Sequence, residues 1–144
     1  MFDTFRPEAY SDFTNPGNVA AYEEALAVVE QGLGVHRPLV IAGKRVDTAK
    51  RIESVNPSRP DHVVGTVAAA GPAEAEMAIA AAWDAFPAWA ALSAEDRARY
   101  GVKLAALMRR DKYLLAALQT LEAGKNYLEA EADVCEALDF CDYY

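Results

Sequence analysis

From Val19 to Leu33 the chain reads VAAYEEALAVVEQGL, with Tyr22, Leu26, Val29 and Leu33 at i, i+4, i+7 and i+11. That spacing predicts an amphipathic helix over about 19–33, ending near Gly32 or Gly34. The period then changes. PLVIAGKRVDT holds an apolar run, a turn centred on Gly43-Lys44 and a short strand at Arg45-Val46. RIESVNPS adds an extended piece stopped by Asn56-Pro57, and HVVGTVAAA a further β-rich one. Residues 38–69 are therefore predicted as a small set of strands, antiparallel on the strength of their short connections.

Beyond Gly71 the pattern is helical throughout, over about 72–144. Pro72 suits a first helical position, and Glu74 and Glu76 complement the positive end of that helix. Its run AEAEMAIAAAWDAF is expected to break at Pro87. Ser93 with Asp96 forms a box-like start for the next helix, EDRARYGVKLAALMRR, whose basic end fits a C-terminus. Gly101 inside it costs about 1 kcal/mol relative to Ala. Asp111 is placed to cap KYLLAALQTLEA, which stops at Gly124, and Asn126 with Glu129 opens the last helix.

Residues 1–17 read as an irregular leader that packs through Phe2, Phe5, Tyr10 and Phe13. At the other end the last helix closes on Phe140, Tyr143 and Tyr144, with no terminal glycine, basic turn or polar tail. Either these aromatics fold back on the core, or they meet chain that follows. The expectation adopted is that the 144 residues are a portion of a larger domain.

With 53% hydrophobic and 25% charged residues, the composition is that of a folded domain. A net charge of −8 argues against nucleic-acid or anionic-membrane partners, which need a basic footprint. MFDTFRPEAY is not a secretory signal, and no apolar run approaches the roughly 18 residues of a membrane span. A cytoplasmic setting with free thiols is expected.

The two Gly-Lys pairs do not make a phosphate loop. The required upstream glycine is Pro38 for one and Gln119 for the other, and neither lysine precedes Ser or Thr. There is no G-x-G-x-x-G. His36, His62, Cys135 and Cys141 lack zinc spacing, and the cysteines lie about 240° apart around a helix. Both are expected as small packing residues.

On the last helix, Val134, Ala137, Leu138, Cys141 and Tyr144 define the predicted core stripe. A second stripe, Glu129, Asp133, Glu136, Phe140 and Tyr143, begins charged and becomes aromatic. Glu136 stands where exposure is expected to fall, so it is either a rim residue or a partly desolvated acid poised for a cationic group. Glu122, Glu129, Glu131, Asp133, Asp139 and Asp142 read as a solvated face. Trp83 and Trp89 read as helix-packing anchors.

In order along the chain, NPS at 56–58, VVGTV at 63–67, AAWDAFPAW at 81–89, DRARY at 96–100 and LEAGKNYLEAEADVCEALDFCDYY at the end resemble the N-terminal part of the aldehyde dehydrogenase superfamily. FRPE in the leader, HRPLVIAGKRVDT, RIESVNPSRPDHVVGTVAAAGPAEAE and ALMRRDKYLLAA bring the likeness closer to the 1-pyrroline-5-carboxylate dehydrogenases. Tyr100 and Gly101 depart from it, since aliphatic residues are usual there.

The resemblance implies an α/β fold of aldehyde dehydrogenase type, of which these residues are a mostly helical part with strands near 38–69. It implies NAD-dependent oxidation of L-glutamate γ-semialdehyde to L-glutamate, in a homo-oligomeric enzyme. The family's chemistry is thiolate attack on the aldehyde, hydride transfer, and thioester hydrolysis by glutamate-activated water. It places those groups, and most NAD contacts, downstream of Tyr144, making this chain roughly the first quarter to a third of such an enzyme and inactive alone. Neither Cys135 nor Cys141 matches the nucleophile motif. Glu136, in ADVCEALDF, matches a glutamate bordering the aldehyde pocket, where a carboxylate would meet the substrate's ammonium. Two other readings remain at this point: an aldehyde dehydrogenase of different substrate, and a non-catalytic α+β interaction module.

Overall fold

The structure, a computed structural model, describes residues 5–144. Phe2 lies outside the described residues. Ten elements follow in order: α1 Pro16–Gln31, β1 Val35–Arg37, β2 Leu39–Ile41, β3 Lys44–Val46, β4 Arg51–Asn56, β5 Arg59–Ala68, α2 Pro72–Ala90, α3 Ala94–Arg110, α4 Lys112–Ala123 and α5 Tyr127–Tyr143. They divide into two compact units, Leu33–Arg97 and the remainder of the chain on either side.

The helical unit is built on α1, α4, α5 and the C-terminal part of α3. α1 starts earlier than its periodicity predicts: Asn15 Oδ1 accepts from the Gly17 amide at 2.9 Å and Pro16 takes the first turn. The core is Tyr22, Ala105, Ala116, Ala130, Val134 and Leu138. Three of those six are alanines on facing helices, which lets the backbones approach closely. The Tyr22 hydroxyl keeps a hydrogen-bond partner in Thr120 Oγ1 at 2.8 Å, so its burial leaves no polar group unmet.

Gly101 is explained by such an approach. A Cβ there would lie 3.1 Å from the Cys141 carbonyl oxygen of α5, so the missing side chain lets α3 come close to α5 at this point. Ser93–Asp96 and Asn126–Glu129 cap α3 and α5 as predicted, and Gly124 ends α4 in the left-handed region at φ 70°. Asp111 makes no side-chain cap; its carboxylate is held by Arg110.

In the other unit, β4 and β5 form an antiparallel hairpin whose register shifts between Ser54 and Asn56. Buried Asn56 closes it, its Oδ1 accepting from the amides of Ser58 and Arg59. β1 joins β5 in parallel, Val35 opposite Gly65, and this corrects the all-antiparallel expectation. His36, placed outside the predicted strands, lies in β1. β2 and β3 form a second hairpin turning at Ala42-Gly43, one residue earlier than predicted, with φ 51° and 73°. Positive φ at both central residues is the turn that matches strand twist.

α2 continues through Pro87 to Ala90 instead of breaking there. One lost intrahelical bond near a helix end is a local cost, and the ladder resumes at once with the Ala91 amide on the Pro87 carbonyl. No residue of α2 is buried. Trp83, 69% exposed, meets the edge of Phe86 on its own helix at 5.8 Å, so it is not the packing anchor expected.

Candidate functional site

The residues that matter most for a site lie along α5, and its faces are rotated from the predicted ones. The buried positions are Ala130, Glu131, Val134, Cys135 and Leu138, while Tyr144 is 90% exposed. This corrects two expectations at once. Tyr144 is not on the core stripe, and Glu131 is not on the solvated face.

Glu131 is only 2% exposed and fully partnered. Its Oε1 lies 2.6 Å from Lys112 Nζ and accepts from the Ser11 amide at 3.0 Å and the Ser11 hydroxyl at 2.8 Å. Tyr113 in turn donates to Ser11 Oγ at 3.0 Å. Burial alone would push the Glu131 carboxyl up, but the bonds from Lys112 and Ser11 outweigh it and hold it below the ordinary range. For Lys112, burial works against the charge and Glu131 overcomes it, leaving the ammonium above its ordinary value. The sequence signal was present: an acid at 131 within the apolar spacing 130, 134, 138.

Glu136 lies on the opposite side and is exposed among the described residues, contrary to the expected fall in exposure. It borders a hollow of about 200 Å³ lined with Phe5, Asp139, Phe140, Tyr143 and Tyr144. Phe5 meets Tyr143 edge-on at 5.2 Å, and Phe140 stacks on Tyr144 at 5.6 Å. A carboxylate among aromatic rings suits an organic ammonium, which gains from both the charge and the ring faces. Phe5 could not be assigned here from the sequence, because the leader has no periodicity that fixes where it lies.

The cysteines are packing residues. Both are free. The Cys135 thiol is buried and pushed up to about 11, first by burial and then by the negative charge of Glu131, which makes it a poor nucleophile. His36 is engaged on both ring nitrogens, with Thr66 Oγ1 and Asp47 Oδ1 each at 3.0 Å. Among the described residues no group of three or more His, Cys, Asp and Glu is arranged to hold a metal.

A larger hollow, about 460 Å³, lies between α1 and the start of α4 and is edged by Arg109, Arg110 and Lys112. It does not make an anion site. Arg109 is bound by Glu8 and Asp142, Arg110 by Asp111, and Lys112 by Glu131. Among the described residues no helix is long and apolar enough to cross a membrane.

The chain belongs to the aldehyde dehydrogenase family, whose model matches residues 45–144. Over all 144 residues it is 45% identical to 1-pyrroline-5-carboxylate dehydrogenase 1 of Halalkalibacterium halodurans and 44% identical to 1-pyrroline-5-carboxylate dehydrogenase 2 of Bacillus subtilis, covering 28% of each. A solved structure of 1-pyrroline-5-carboxylate dehydrogenase from Thermus with bound NAD superposes with a TM-score of 0.96 at 50% identity, over 99% of this chain and 28% of that one. The chain thus spans about 28% of the length of these relatives.

NAD is the dinucleotide that this Thermus relative holds. The one strand-to-helix passage of suitable form, β5 to α2, has the Gly71 amide donating to Glu74 Oε2 at 2.7 Å. That occupies a donor a phosphate would need and sets a carboxylate beside it.

Proposed function

We propose that the full-length protein carrying this chain oxidises L-glutamate γ-semialdehyde, the open form of 1-pyrroline-5-carboxylate, to L-glutamate in proline breakdown, with NAD⁺ as acceptor. These 144 residues are read as the N-terminal part of its aldehyde dehydrogenase domain, inactive alone. The full-length enzyme is read as a cytoplasmic homo-oligomer. The observation that supports this most is identity of 40–45% along essentially the entire chain to relatives that share one name.

Glu136 is the residue of this chain assigned to substrate. Its carboxylate, bordering the aromatic hollow, binds the ammonium of the substrate's amino-acid end and takes no part in proton transfer. That contact is the same before and at the transition state, so it contributes to binding more than to turnover. The test is steady-state kinetics of the full-length protein with the semialdehyde and NAD⁺. Glu136→Ala is expected to raise KM about tenfold while kcat changes little. No semialdehyde oxidation by the unmodified protein would sink the assignment of substrate; unchanged KM in Glu136→Ala would leave Glu136 a rim residue.

A further inference from the structure

Residues 5–13 contact α5 in strict reverse order. Phe5 meets Tyr143 at 5.2 Å, the Glu8 amide donates to Asp139 Oδ1 at 2.6 Å, and the Ala9 carbonyl faces Cys135 Sγ at 3.9 Å. Ser11 is bound by Glu131, and Phe13 meets Tyr127 at 4.9 Å. The lengths agree. Eight extended residue steps reach about 26 Å, and the sixteen helical steps from Tyr127 to Tyr143 rise about 24 Å. The leader is thus an extended strap laid antiparallel along one helix.

Both ends of the strap are fastened. Phe13 is inserted among Tyr22, Tyr113 and Tyr127, beside the seat that Glu131 provides for Ser11. Near the other end, Arg109 bridges Glu8 Oε2 at 2.7 Å and Asp142 Oδ2 at 2.5 Å, joining strap, α3 and α5. Tyr10 is left outward, 70% exposed. What the fastening delivers is Phe5, the one residue of the strap that lines the Glu136 hollow.

We propose that Phe5 is a positioning and specificity-determining residue: the strap holds its ring as the outer wall that encloses the ammonium-bearing end of an amino-acid aldehyde at Glu136. This rests on the substrate reading given above. The ring excludes water from one side of the carboxylate and offers a face to the ammonium, so it favours aldehydes that carry the charge over those that lack it. Asp139 keeps the wall in register, because its carboxylate is committed to the strap backbone at Glu8.

The experiment uses the full-length protein, with NAD⁺ and two aldehydes of equal chain length, glutamate γ-semialdehyde and one lacking the amino and carboxyl groups. Phe5→Ala is expected to raise KM for the semialdehyde about fivefold, leave its kcat within about twofold, and leave the plain aldehyde's KM unchanged. Phe5→Tyr is expected to restore the KM, and Phe5→Leu, which keeps apolar packing if the alanine variant fails to fold, to fall between. An unmodified enzyme that does not turn over the semialdehyde overturns the substrate reading and this inference with it. Turnover with unchanged KM in folded Phe5→Ala or Phe5→Leu, or an equal rise for both aldehydes, overturns the inference about Phe5 alone.

Discussion

Glu131 and Lys112 form an ion pair of 2.6 Å at which α4, α5 and the leader meet, and Glu131 is almost wholly out of water. Such a pair is weak evidence of net stabilisation, but losing one member is severe, because the other is left charged and unsatisfied. Here the carboxylate also holds the Ser11 amide and hydroxyl, so three donors depend on it.

Glu131→Ala in the full-length protein is accordingly expected to cost about 3 kcal/mol, read as a lowered denaturation midpoint. Pairing it with Lys112→Met is expected to recover part of that loss, since the orphaned ammonium is removed as well. A Glu131→Ala variant as stable as the unmodified protein would contradict the buried geometry. Amide exchange at Ser11 should rise in the single variant, because its donor bond is gone.

The same pair fixes a pH window. The Glu131 carboxyl is lowered in the folded state from an ordinary value of 4.5, so its contribution is complete above that value and disappears as pH falls through the lower folded one. Lys112 is raised from 10.5, so its contribution is complete below 10.5 and disappears as pH rises through the higher folded value. The stability difference between the unmodified protein and Glu131→Gln is therefore expected to stay flat from about pH 5.5 to 9.5 and to shrink below about pH 4. Denaturant titrations of both proteins across that range check it. A difference already falling at pH 6 would mean that Glu131 is raised instead of lowered.

What was legible beforehand was chemistry local to a few residues. Ser93 with Asp96, Asn126 with Glu129, Pro72 and Gly124 each act within one helical turn, and each is where its spacing puts it. Asn15-Pro16 is equally local, an Asn cap with Pro at the first helical position, and marks the start of α1 in the same way. The parallel pairing of β1 with β5 was not legible, because it joins His36 to Thr66 across thirty residues and no turn chemistry marks it. The apolar spacing around Glu131 marks its burial, but its partner is not legible for the same reason: Ser11 lies 120 residues away in the chain. Within the candidate site, spacing leaves Glu136 either a rim residue or a poised acid and only the resemblance favours the second, while Phe5 belongs to a strap whose path is set only by what α5 offers it.

Gly101 gives a final test that joins packing to the site. The hollow is carried by the last turns of α5, and α3 comes close to that segment at Gly101, where an added Cβ would stand 3.1 Å from the Cys141 carbonyl. Alanine there gains about 1 kcal/mol of helix propensity over glycine and presses on that carbonyl, so Gly101→Ala is expected to be close to neutral. Valine adds two methyls against a backbone that cannot turn aside, and Gly101→Val is expected to cost about 2 kcal/mol. Because the displaced segment carries Phe140 and Tyr143, Gly101→Val should also raise KM for the semialdehyde, whereas Gly101→Ala should not. Denaturation and steady-state kinetics on the two full-length variants separate these outcomes. A valine variant with unchanged stability and KM would mean that α3 does not approach α5 this closely.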